Sequence, residues 1–187
     1  MTTNNAVNVG LSGSTGTGSF AGSTSPTFVT PTLGAATATS LAFSPTTGGI
    51  IGTTAADNVT AGDVGELISS VIASGSAISF SNNTAANITS ISLSAGDWDV
   101  RGNVSFNTSN GNGSQYAWIS LASATLPNAS LYSGPAATTS ILGSGGVTTP
   151  TVRVNVSTTT TVYLSGQCQF GAGTTTCSGG IYARRIR

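Results

Sequence analysis

The chain of 187 residues has five Arg, five Asp or Glu, no Lys and no His, so its formal net charge is zero and only 5% of its residues are charged. Such a scarcity of cations excludes the clustered phosphate neutralisation of a nucleic-acid binder, and the missing imidazole and amine exclude Ser-His-Asp, Cys-His and lysine-nucleophile catalysis. With 38% hydrophobic residues, a mean hydropathy of +0.21 and nearly a third of the chain Ser or Thr, the composition departs from charged disorder and fits an all-β domain.

From Met1 to Gly62 the sequence is low in complexity, with Gly, Ser, Thr, Ala and Pro punctuated by isolated apolar residues. Leu11, Phe20, Phe28, Leu33, Leu41 and Phe43 are spaced too widely for a helical stripe, and Pro26 and Pro31 oppose helix. The triplet Gly13-Ser14-Thr15 recurs as Gly22-Ser23-Thr24, each followed by a Phe. One extended chain cannot bury such residues, whereas several chains winding together can. Residues 1–62 are therefore expected to form a fibrous stalk or attachment arm, with a flexible Gly/Ser linker as the simpler alternative. The run Gly13 to Gly18 lacks the Lys, the preceding strand and the following helix of a phosphate loop. The N-terminus carries no basic region followed by an apolar stretch, so synthesis in the cytoplasm without signal-peptide export is expected, and no apolar run suggests membrane insertion.

Beyond Gly62 the texture changes to evenly spaced strand patterns separated by turn residues, the signature of a β-sandwich or barrel over residues 63–187. Strands are predicted at residues 65–73, 86–93, 97–106, 115–122, 147–156, 160–170 and 174–186, with weaker ones at 77–80, 129–132 and 139–142. The clearest lies in Ser94 to Thr108, where Trp98, Val100, Gly102, Val104 and Phe106 alternate with Asp97, Asp99, Arg101, Asn103 and Ser105. The second set is expected on a polar face, solvated or against a subunit, with Asp97, Asp99 and Arg101 forming a small charge ladder.

The two cysteines yield a specific expectation. If Ala172-Gly173 is a two-residue hairpin loop, Cys168 faces Cys177 in a non-hydrogen-bonded pair suited to a cross-strand disulfide. In a reducing cytoplasm the same pair remains two buried thiols. Two cysteines without His do not make a zinc site, and no cofactor is implied.

Few groups remain for chemistry. Asp97 and Asp99 project from one strand face at a spacing compatible with a carboxylate pair, so glycoside cleavage is conceivable, but Arg101 or Arg153 can neutralise Asp99 more simply. No enzymatic activity is expected. Tyr182, Arg184 and Ile186 mix apolar and charged groups on one face of the last strand, as subunit contacts do, and join Phe20, Phe28 and Leu33 as candidate interface residues.

Two stretches carry a family resemblance. GLSGSTGTGSFAGSTSPTFVTPTLG resembles the low-complexity segments of tailed-bacteriophage tail fibres, and ISLSAGDWDVRGNVSF with the ending YARRIR resembles the globular tip domains of those proteins. The tips are similar in strand pattern to tumour necrosis factor and complement-type jelly rolls. The resemblance implies a homotrimeric virion protein with a stalk at 1–62 and an antiparallel jelly-roll head at 63–187. Its implied partners are other virion proteins at the N-terminal arm and a bacterial surface glycan or outer-membrane protein at the head. A head that binds a receptor would use its outer loops, and the stretches Asn107 to Gln115 and Leu131 to Gly146 suit adaptable hydrogen bonding, so the resemblance makes Asn110 and Asn112 candidate receptor contacts. In the same reading Tyr116, Trp118 and Tyr132 are candidates for sugar stacking, with strand and interface packing as the simpler role. The short chain, beginning with its own Met, leaves open a capsid decoration or head-fibre protein gripped through that arm. A trimerising cap that binds no receptor is the third possibility.

Overall fold

A computed structural model describes residues 54–109, 114–125, 144–171 and 173–187. The chain divides between Gly52 and Thr53, earlier than the boundary expected at Gly62. Residues just before Gly62 are tied to the head: the Asn58 amide donates to the Leu67 carbonyl, its Oδ1 accepts from the Leu67 N–H, both at 3.0 Å, and the Gly62 N–H donates to Glu66 Oε2 at 2.8 Å.

The described residues form an antiparallel jelly-roll sandwich of nine strands. In chain order these are β1 (Leu67–Ile72), β2 (Ile78–Phe80), β3 (Ala86–Leu93), β4 (Gly96–Thr108), β5 (Gln115–Ser120), β6 (Ser144–Thr148), β7 (Val152–Val156), β8 (Thr160–Cys168) and β9 (Thr175–Arg185). The larger sheet has the order β1-β9-β4-β6, with β2 also pairing β9 and β7 also pairing β4, and the smaller is β3-β8-β5. From β3 onward successive strands change sheet at every step except β6 to β7, which both lie in the larger sheet. The inner faces meet through Trp98, Val100, Val104 and Phe106 of β4, Ile181 and Ala183 of β9, Val162 and Leu164 of β8, and Ile119 of β5, all at most 2% exposed.

The alternation read in β4 holds from Val100 onward: even-numbered residues are buried, while Arg101, Asn103, Ser105 and Asn107 are exposed. Asp97 departs from it. Expected on a polar face, solvated or against a subunit, it is 1% exposed, because the chain after β9 folds across it. The Asp97 N–H donates to the Arg187 carbonyl at 3.0 Å, and the Ile186 N–H donates to the Asp97 carbonyl at 2.9 Å.

The strand expected at 147–156 is two strands, both paired to β4. Thr148 stands opposite Asn103 and Val152 opposite Val100, so four steps on one side face three on the other. This is a one-residue bulge around Pro150, a residue with no N–H for the ladder. It reverses the parity, which lets Val147 and Val154 both point into the core. The Thr149 side chain fills the gap, its Oγ1 accepting from the Gly102 N–H at 2.8 Å.

The hairpin expected at Ala172-Gly173 is not formed. β8 belongs to the smaller sheet, where Cys168 stands opposite Gln115, and β9 to the larger, where Cys177 stands opposite Phe106 and Ile78. Cys168 and Cys177 are free and buried, each in the shared core rather than paired across one ladder. The weaker strands expected at 129–132 and 139–142 lie outside the described residues.

Candidate functional site

Charge on this molecule is concentrated where β4, β9 and the last residues meet. Arg185 points inward from β9, opposite Trp98, and is 5% exposed. Its Nε donates to Glu66 Oε2 at 3.0 Å, Nη1 to the Ala95 carbonyl at 2.8 Å and Nη2 to Ser94 Oγ at 2.6 Å, while its guanidinium lies 4.3 Å from the Trp98 ring centre. A buried cation persists only when its donors are met, and this one has a carboxylate, a carbonyl, a hydroxyl and a π face. Gly96 makes room for it: φ is +145°, and a Cβ there would stand 2.0 Å from Arg185 Nη1. The Gly62 N–H, and after it Arg185, hold the Glu66 carboxyl below its ordinary range against the opposing effect of burial. Sequence reasoning gave Arg184 a place among the candidate interface residues and Arg185 none, and so missed this role. The available signal was the parity of β9, which puts Arg185 on the same face as Ile181 and Ala183.

On the outer side, Asp97 accepts from Arg153 Nη2 at 2.7 Å and from the Asn155 side-chain amide, and pairs with Arg187 Nη2 at 2.6 Å. The Arg153 and Asn155 hydrogen bonds lower its pKa to about 2. Asp97 is therefore committed to its ionised form and to structural partners, so it offers no carboxylic acid for glycoside cleavage with Asp99. Among the described residues, no three His, Cys, Asp or Glu are grouped to hold a metal ion, and no helix is long and apolar enough to cross a membrane.

Among the described residues, two depressions lie on the outer face of the larger sheet. The β4–β9 register sets Asp99 beside Arg184, Arg101 beside Tyr182 and Asn103 beside Gly180, and Thr148 of β6 lies opposite Asn103. The depressions, of about 250 and 400 Å³, share Arg101 and Tyr182 and so adjoin. Gly180 lets Tyr182 lie along the sheet: a Cβ there would come within 2.9 Å of Tyr182 Oη and 3.0 Å of Val71 Cγ2. The groove is edged by Leu67 of β1, 49% exposed. Tyr182 and Arg184 thus share the face expected of them, while Ile186 lies beyond β9 and is 36% exposed.

The other expected contacts do not gather here. Tyr116 and Trp118 sit on the outer face of the smaller sheet, opposite Gln167 and Ser165, with rings stacked at 5.3 Å and 20°. Trp118 is 4% exposed, so of its two readings packing is the one its surroundings favour. Asn110, Asn112, Tyr132, Phe20, Phe28 and Leu33 lie outside the described residues.

No protein-family model matches the chain, and no curated protein matches it in sequence. Among solved structures it is similar to that of infectious bursal disease virus, Gx strain, with 13% identity and a TM-score of 0.44 over 66% of this chain and 33% of that one. It is similar also to the VP2 subviral particle of infectious bursal disease virus, with 14% identity and a TM-score of 0.44 over 65% of this chain and 32% of that one. The chain spans about a third of the length of these viral proteins. A superposition this partial assigns this chain neither a family nor a role.

Proposed function

We propose that the chain is a homotrimeric structural protein of a bacteriophage virion, a tail fibre or receptor-binding protein that attaches the particle to the host cell surface. The resemblance of its N-terminal and head segments to tail-fibre stalks and tips supports this reading, and the jelly-roll head is the architecture that the resemblance implies. One structural observation carries it furthest toward binding: the buried charges are consumed in holding the head together, whereas the outer face of the larger sheet keeps an open groove with Arg101, Tyr182 and Arg184 along it. In this reading the N-terminal arm, through Phe20, Phe28 and Leu33, gathers three chains and joins them to other virion proteins. The head then displays three copies of a weak site to a glycan or outer-membrane protein, and avidity supplies the attachment.

The test uses the full chain, first by light scattering and then, fluorescently labelled, on cells. The expected mass is three times the 18.3 kDa of one chain, with saturable binding to susceptible cells and loss of binding on mutants lacking surface glycan or outer-membrane protein. A mass near one chain overturns the trimer. Binding to neither cell type, together with saturable attachment to empty capsids, overturns adhesion and establishes a capsid decoration protein.

A further inference from the structure

We infer that the outer groove of the larger sheet, between β9 and β4, binds an acidic oligosaccharide, with Tyr182 as the stacking platform and Arg101 and Arg184 as the groups that recognise its negative charge. The inference rests on the attachment reading above and assigns it a place and a ligand class. Tyr182 lies along the sheet over Gly180, the posture in which an aromatic ring presents its face to the apolar side of a sugar ring. Arg101 stands opposite Tyr182, and Arg184 lies two residues further along β9.

Among the described residues neither Arg101 nor Arg184 is in a salt bridge, in contrast to Arg153, Arg185 and Arg187, each paired with a carboxylate. Two uncommitted guanidiniums beside a single carboxylate, Asp99, give the groove a net positive charge in a chain whose net charge is zero. Guanidinium forks match carboxylate and sulfate oxygens with paired hydrogen bonds. Asn103 and Thr148, at the other end of the groove, suit the hydroxyls of a neutral neighbouring sugar. A nucleic acid fits less well, since neutralising a phosphate chain needs a longer row of cations than this face offers.

The experiment titrates the full chain with tetragalacturonate and, in parallel, with uncharged maltotetraose, by calorimetry at two salt concentrations. Saturable binding of the uronate is expected, weaker at higher salt, with maltotetraose bound about tenfold less tightly or not at all. The double variant Arg101→Gln/Arg184→Gln should lose about tenfold or more in affinity while its melting temperature stays that of the parent, since neither residue holds the fold together. Gly180→Ala, which leaves every charge in place and lifts the Tyr182 ring, should also weaken binding. Equal binding of both sugars, or of uronate by parent and double variant alike, overturns the assignment. So does a fall of the double variant's mass to that of one chain, which gives the face to a neighbouring copy. If the uronate fails to bind while the intact chain still attaches to host cells, the groove assignment fails and the attachment reading stands. If attachment to cells fails while the uronate binds through Arg101 and Arg184, the reverse holds.

Discussion

Asp97 shows how a charged residue on the polar side of a strand becomes buried without entering the core. Its alternation with Trp98 was legible, but its burial was not, because the residues that cover it, Arg187 and Ile186, arrive from the far end of the chain. Its pKa, lowered to about 2 by Arg153 and then Asn155, lies below the ordinary 3.8, so the folded state binds this proton more weakly than the unfolded state does. Stability from Asp97 is then fully present above about pH 4 and is lost as pH falls toward about 2. Thermal melts across this window should show a falling melting temperature for the parent and a shallower fall for Asp97→Asn, the remainder belonging to Glu66, whose pKa is lowered too. Arg185 and Arg184 offer a second contrast, adjacent and chemically identical. Arg185→Met, which strands Glu66 in the interior without its cation, should cost about 3–5 kcal/mol in denaturant unfolding, whereas Arg184→Met should stay within about 0.5 kcal/mol. Equal effects of the two substitutions would show that the buried pair is not what joins β1 to β9.

At the scale of elements, the alternation of β3, β4, β8 and β9 could be read from the sequence because each strand has one face on the core. What alternation leaves open is which strand sits beside which. A short connection between two amphipathic strands serves a hairpin and a crossing between sheets equally well, and Gln169 to Thr174 makes the crossing. The same limit applies to the Val147 to Val156 stretch: nothing local marks Pro150 as a bulge rather than an edge position, although the shift of inward parity from Val147 to Val152 was visible. Placing Cys168 and Cys177 in the core has a chemical consequence. Burial raises both thiols, Cys177 to about 12, so very little thiolate exists at neutral pH. Native protein should therefore react slowly with a thiol-specific disulfide reagent and release two equivalents at once on unfolding. Fast reaction of the folded chain would mean that β8 and β9 separate readily.

At the scale of the whole molecule, sequence pattern carried the fold class and the core, while the groove needed the register. Only the pairing of β9 with β4 sets Tyr182 beside Arg101 and Asp99 beside Arg184. That pairing also fixes an order of events. β9 is the last strand in the chain yet lies inside the larger sheet, flanked by β1 and β2 on one side and by β4 on the other. A ribosome therefore releases β1, β2 and β4 with their facing edges bare, and each must wait for a partner translated after everything else in the head. Unpaired edges of this kind attract strands from neighbouring polypeptides. The low charge of the chain does little to repel them. The interval between synthesis of β4 and arrival of β9 is thus the moment at which the nascent protein is most exposed to misassembly, and Arg185 seals it by reaching back to Glu66, just ahead of the first strand made.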